Sequence, residues 1–422
     1  MEGSNQVKDD PMRWAVLALY LAANIGIAII FVSFSPITSV IADIYGVSTT
    51  WVEMCTLIIM IVYVPVTFPA NYFLDEYGLR AGMIIGTGLT MLGSFIRIGA
   101  YFNFWFILVG NFVIALGQPF ITNAPSKVSA FWFRPESRPF ATTLGSICIP
   151  AGMMIGYAVP LIITKGDGKS QVGLLMVIQS IIVTTVAVLV YFFFYSAPKY
   201  PPSITASEER DGLKKSLKTC FRSKSFLFLL LAFSFSEGTL NSIVTMLDPL
   251  CGGKFSEDEV SLFGMMEILA GVIGSILLSQ VVAKNHKYKF TLIILIGLAV
   301  VAFLTFSLTI HFELFAITGV LFALIGFLLT PTMPLSFELA SELTYPTGEA
   351  TLVGLMNCGG QIVGVVETQV AALSGNNPIV ICFILAGGLV VGTVALSFCR
   401  EEFKRSVRDA KDLDVNLSDY LK

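Results

Sequence analysis

The chain has 422 residues, of which 55% are hydrophobic and only 13% charged, with a mean hydropathy of +0.80. Soluble domains carry about 25% charged residues, and no soluble chain of this size can hide so much apolar surface, which excludes a soluble enzyme and a disordered chain. A net charge of −3 and a pI near 5.6 leave no basic footprint for nucleic acid.

In chain order, residues 1–13 form a polar tail, and six apolar runs follow near 14–38, 52–73, 82–101, 104–125, 139–164 and 172–195. Each is long enough to cross a bilayer, which takes about 20 apolar residues. Residues 196–225 interrupt the pattern with Pro198, Pro201, Pro202 and a dense run of charge. Six more runs lie near 226–247, 261–282, 290–308, 314–333, 350–373 and 379–399, before a charged tail at 400–422. The expected fold is an all-α membrane protein: twelve transmembrane helices in two six-helix bundles, 14–195 and 226–399, joined by a polar linker. The loop at 334–349 carries Glu338, Glu342 and Glu349 and no base.

Placing both tails and the linker inside puts 22 of the 26 Lys and Arg residues on that side. Arg97, Lys165, Lys169 and Lys254 are left outside. Such asymmetry marks the cytoplasmic face and requires an even number of spans. The start, MEGSNQVKDD, lacks the basic region of a cleaved signal, so the first span is expected to remain. The expected location is the plasma membrane, with an endolysosomal or other organelle membrane as the alternative, since no targeting signal selects one.

Chemistry is sparse. The seven cysteines, Cys55, Cys148, Cys220, Cys251, Cys358, Cys382 and Cys399, form no CxxC pair and read as small apolar residues in helices. His286 and His311 fall in loops, and no Walker motif or HExxH is present. The chain therefore reads as a non-enzyme without metal or cofactor.

Polar groups inside spans are expensive, so each needs a reason. Gln118 and Gln361 can orient a polar solute with both donor and acceptor, or simply bond neighbouring helices, as can Asn111, Asn123 and Asn357. Glu237, Glu267 and Glu367 fall in spans of the second half, with no intramembrane base expected to pair them. Glu237 is the deepest and is a candidate proton or cation coupler, whereas Glu267 and Glu367 lie towards span ends, where they can reach water. Phe31 and Phe34 can face a cation, lipid or core. Gly145, Pro150, Gly152, Gly156 and Pro160 in the fifth span, and Gly354, Gly359, Gly360 and Gly364 in the eleventh, suit helices that approach closely and slide, although glycine is common in membrane helices.

The loop Asn71-Tyr72-Phe73-Leu74-Asp75-Glu76-Tyr77-Gly78-Leu79-Arg80 resembles the signature loop of the major facilitator superfamily. Asp75 and Arg80 can latch helix ends and Gly78 permits the turn, whereas the second-half loop Lys284–Lys289 keeps bases without the acid. Three further blocks resemble the feline leukaemia virus subgroup C receptor family. They are Tyr63-Val64-Pro65-Val66-Thr67-Phe68-Pro69-Ala70 with its loop, Gly117-Gln118 through Phe131-Trp132-Phe133, and Pro334-Leu335-Ser336-Phe337-Glu338 through Gly348-Glu349. The resemblance runs from about residue 13 to 399. It implies a carrier of small organic solutes; members are associated with choline and ethanolamine, with proposed haem export, and in one branch with a vitamin B6 form. It implies substrate contacts for Gln118 and Gln361. The tryptophan and tyrosine that complete the family's choline cage fall at Phe31 and Asn241 here, which removes part of that cage. Val32-Ser33-Phe34-Ser35-Pro36 and the turn at Pro346–Glu349 resemble the family's less characterised branch.

The expectation is therefore a secondary transporter, monomeric in the bilayer, moving a small polar or cationic organic solute by alternating access. Gln118, Gln361, Phe31 and Asn241 would bind substrate. A non-transporting receptor, sensor or scaffold with the same fold is the alternative.

Overall fold

The computed structural model describes residues 10–133, 138–158, 168–196, 198, 213–285, 287–344, 347, 349–375, 377–402 and 404. The side chain of Asp75, with Pro160, Lys165, His286, Tyr345, Pro346, Gly348 and half of the linker, lies outside the described residues. Among those described, the chain is helical and contains no strand. Its helices are α1 (Met12–Val32), α2 (Thr38–Tyr45), α3 (Thr49–Glu76), α4 (Gly78–Arg97), α5 (Trp105–Thr122), α6 (Pro125–Trp132), α7 (Arg138–Gly156), α8 (Gly168–Phe193) and α9 (Leu213–Arg222). The second half holds α10 (Lys224–Thr245), α11 (Leu247–Cys251), α12 (Glu257–Asn285), α13 (Tyr288–Thr309), α14 (Phe315–Leu329), α15 (Thr332–Thr344), α16 (Glu349–Leu373) and α17 (Pro378–Ser397). Ten spans are long and apolar enough to cross a membrane, two of them by joining α1 to α2 and α14 to α15. The long helices α7 and α16 complete the twelve.

The backbone of such a chain must satisfy itself in lipid, and helices do so within one segment. Proline is accommodated where neighbouring helices cover the freed carbonyl: Pro65 and Pro69 lie inside α3, Pro119 inside α5 and Pro150 inside α7. The first span breaks at Ser33–Phe34, where a short 3₁₀ turn over Ser35–Ile37 carries Pro36 and leads into α2. Ser33 Oγ donates to the Ile29 carbonyl (2.5 Å) and accepts from Gln179 Nε2 (2.7 Å), tying the break to α8.

The two halves repeat one packing scheme. In the first, α1 packs on α7, α3 on α5 and α4 on α8; in the second, α10 packs on α16, α12 on α14 and α13 on α17. These are the same pairs of ordinal helices, first with fifth, second with fourth and third with sixth. The bundles meet through a matching pair of seams, α3 with α16 and α7 with α12. Small residues set these approaches. A Cβ on Gly93 would sit 2.5 Å from the Gly110 carbonyl oxygen, and one on Gly110 equally close to that of Gly93, so α4 and α5 touch backbone to backbone. Gly152 and Gly156 press α7 on α1, and Gly238 and Gly364 do the same for α10 and α16.

The signature loop and its second-half counterpart also repeat in function. Arg80 Nη2 donates to the Tyr191 carbonyl in the last turn of α8 (3.2 Å), with its guanidinium over the Tyr195 ring at 5.6 Å. Lys289 Nζ donates to the Ser397 and Cys399 carbonyls at the end of α17 (2.8 and 2.7 Å). In each half, a base from the loop between the second and third helices caps the sixth helix, where cations meet both orphan carbonyls and the negative end of the dipole. The loop that looks degenerate for lack of an acid therefore keeps its capping contact. Gly78, at φ +84°, makes the turn into α4 in a region costly for other residues.

Three expectations change. Residues 334–344 are helix α15 rather than loop, because Pro331 and Pro334 flank a helix start, where proline is tolerated. One third of the linker forms α9, with Ser216 and Cys220 buried on one face and Lys215, Lys218 and Arg222 exposed on another. Arg97 is not on the outer surface: it ends α4 with 1% exposure, its guanidinium 6.0 Å from the Phe34 ring. A base is thus buried within a span, against expectation, but in the first bundle, away from the second-half carboxylates.

Candidate functional site

Between the bundles lies a cavity of about 270 Å³. The first bundle contributes Tyr20, Asn24, Phe31, Tyr63, Gln118 and Thr122, among others, and the second contributes Glu237, Asn241, Glu267, Ser275, Asn357 and Gln361. Four residues read from sequence as substrate contacts, Phe31, Gln118, Asn241 and Gln361, therefore share one cavity with Glu237. Local structure explains their presentation. Gln118 precedes Pro119, which lacks the donor for the Ala115 carbonyl and loosens α5 at this point. Asn357 and Gln361 lie one turn apart on α16, and Glu237 and Asn241 one turn apart on α10, so each pair shares a helix face.

Several buried atoms here have no hydrogen-bond partner: Gln118 Oε1, Gln361 Oε1, Asn24 Oδ1, Asn241 Nδ2, Glu267 Oε2 and Ser275 Oγ. Unpaired buried atoms also occur elsewhere, as at Arg97 and Asn111, but these six line one cavity and give it donors and acceptors for a polar occupant. Among the described residues, the lining contains two carboxylates and no Lys, Arg or His. Four aromatic rings, Tyr20, Phe31, Tyr63 and Phe337, and an aliphatic wall complete it.

Other polar residues separate from the site. Asn111 Nδ2 donates to the Cys55 carbonyl (2.8 Å), and Asn123 accepts from the Tyr63 hydroxyl (2.6 Å) while donating to Asn71 Oδ1 (3.1 Å). These amides brace helices. Glu267 and Glu367 do not reach water: they are 2% and 4% exposed. Glu367 accepts from Thr239 and Ser242 hydroxyls, both at 3.3 Å, inside the second bundle. Glu267 lines the cavity, its backbone seated against Gly326 of α14. Sequence position indicates depth along a span but not the face a side chain occupies, so hydropathy could not separate Glu267 from Glu367.

The end of the molecule away from the linker is closed by hydrogen bonds between bundles. Asp248 Oδ2 accepts from Ser39 N (2.9 Å) and Ser39 Oγ (2.6 Å), capping the start of α2. Ser35 Oγ donates to the Val244 carbonyl, and Ser261 Oγ to that of Tyr157. Burial lifts the Asp248 carboxyl above the ordinary aspartate value, Glu257 adds to this, and the bonds from Ser39 oppose it. At the linker end, the described contacts of Arg80 stay within its own bundle, and the Asp75 side chain is outside the described residues.

A two-bundle helical molecule with a cavity at its seam has the architecture of a membrane carrier. The sequence profile of the Major Facilitator Superfamily matches residues 16–366, and the chain belongs to that family. It is 28% identical to an uncharacterised MFS-type transporter of Caenorhabditis elegans, over 93% of this chain and 70% of the other. It is 27% identical to the choline/ethanolamine transporter FLVCR1 of Felis catus, covering 84% of this chain and 66% of that protein. Identity to the human choline/ethanolamine transporter FLVCR2 is 23%, over 99% and 83% of the two chains. Among solved structures, the outward conformation of the MFS transporter FucP is similar with a TM-score of 0.64 at 18% identity, covering 92% of this chain and 99% of FucP.

Proposed function

We propose that this carrier moves a small, cationic organic solute through the cavity between its bundles by alternating access. The observation that carries this reading is the lining itself: a glutamine from each bundle, two carboxylates, aromatic rings and, among the described residues, no competing base. A cation placed there meets negative charge and ring faces in a desolvated setting, where both count for more than in water. Because Gln118 and Gln361 belong to opposite bundles, a solute bound to both couples its own position to the bundles' relative motion. The relatives named for choline and ethanolamine support this solute class.

The base-rich linker face is assigned to the cytoplasm, with both tails on that side and residues 14–195 and 226–399 as the moving halves. The loop with Asp75, Gly78 and Arg80 then holds helix ends together on the cytoplasmic side. Purified protein in liposomes should take up labelled ethanolamine or choline, and Gln118→Ala should lower that uptake at least tenfold. Equal uptake by both proteins removes Gln118 from the site. Binding without uptake favours a receptor instead.

A further inference from the structure

We infer that the cavity selects an ammonium group bearing N–H bonds, and that Glu267 is the residue that recognises it. This deepens the reading of the cavity as the substrate site and rests on it. Glu267 is 2% exposed, lines the cavity and has an unpartnered Oε2. The Tyr157 hydroxyl, buried near this carboxylate, makes no hydrogen bond to it.

The unpartnered atoms around the cavity are unbalanced. Asn24 Oδ1, Gln118 Oε1, Gln361 Oε1 and Glu267 Oε2 are acceptors, against a donor at Asn241 Nδ2 and a hydroxyl at Ser275 that can serve either way. An amide can turn to offer its nitrogen, but Glu267, once ionised opposite a cation, can only accept. A quaternary ammonium brings charge and no N–H, so it would leave Glu267 Oε2 buried and without a hydrogen bond. A primary ammonium brings three donors, enough for the carboxylate and two amide oxygens. Rejection of an analogue that lacks a needed donor is the strongest form of discrimination a buried polar site achieves. Aromatic lining alone does not discriminate in this direction, since ring faces accept either cation.

The test is a methylation series on the wild-type protein in liposomes. Uptake of labelled ethanolamine is competed with unlabelled ethanolamine, its N-methyl and N,N-dimethyl derivatives, and choline. Competition should weaken with each N–H lost and fall at least tenfold from ethanolamine to choline. Glu267→Gln should flatten the series to within threefold, with ethanolamine uptake losing more than choline uptake. Choline competing as well as ethanolamine overturns the inference, and if its uptake still depends on Gln118 the transport reading survives. Parallel loss of ethanolamine and choline uptake in Glu267→Gln assigns that residue to structure and overturns its role. If no member of the series binds or is transported, both readings fall together.

Discussion

Two buried glutamates separate by their neighbours. Glu367 accepts two hydroxyl bonds on Oε2 inside the second bundle, whereas Glu267 lines the cavity; each keeps one oxygen without a partner. Removing a buried, bonded group costs about 1–3 kcal/mol through the partners left behind. Glu367→Ala should therefore lower thermal stability of the purified carrier by that amount and leave its preference among cations unchanged. A changed cation preference with intact stability contradicts that assignment. Phe31 and Asn241 are the complementary case, since both line the cavity yet supply one ring between them. Phe31→Trp with Asn241→Tyr adds aromatic face, about 1–2 kcal/mol of cation–π attraction when desolvated. Competition by choline should tighten roughly tenfold in this double variant, because 1.4 kcal/mol is tenfold. Unchanged competition would place neither side chain against the ammonium group. Arg97 shows the limit of reading residues from sequence. Its place near a span end suggested exposure, but α4 carries it into the first bundle beside Phe34, and a hydropathy profile has no term for which way a helix faces.

At the scale of elements, the twelve spans were legible because lipid demands long apolar runs and the linker interrupts them once. The breaks were not. Prolines at Pro36, Pro331 and Pro334 announce local interruption, yet helix resumes beyond each, and only packing reveals whether a chain restarts or loops. The glycine seam between α4 and α5 admits no side chain, so Gly93→Val should force the helices apart and cost about 1–3 kcal/mol in thermal denaturation, consistent with overpacking elsewhere. The Ser39–Asp248 contact belongs to this scale as well, because it joins the start of α2 to α11 across the bundles. Asp248 holds its proton more tightly in the closed arrangement than a hydrated aspartate does, burial being the first cause. The sign follows: closure of this face is favoured on acidification and lost as pH rises from about 4, the ordinary aspartate value, through the raised one. Spin labels on the outer ends of α2 and α12 should report a distance that shortens at low pH. Asp248→Asn, which keeps an acceptor and removes the charge, should abolish that dependence while staying closed; a persistent pH response in this variant sinks the assignment.

For the whole molecule, scarcity of charge defined the class, and the placement of what remains defines the working parts. Capping bases lie at one end, at Arg80 and Lys289, bundle-bridging serines lie at the other, and the carboxylate-lined cavity sits between. That arrangement suits a carrier in which halves pivot about a bound cation. The most direct measurement is uptake of labelled ethanolamine and choline into liposomes holding wild type, Gln118→Ala or Gln361→Ala. Wild type should show saturable uptake, and each variant, one from each bundle, at least tenfold less, as loss of a buried polar contact implies. Wild-type uptake that is undiminished in both variants would contradict this.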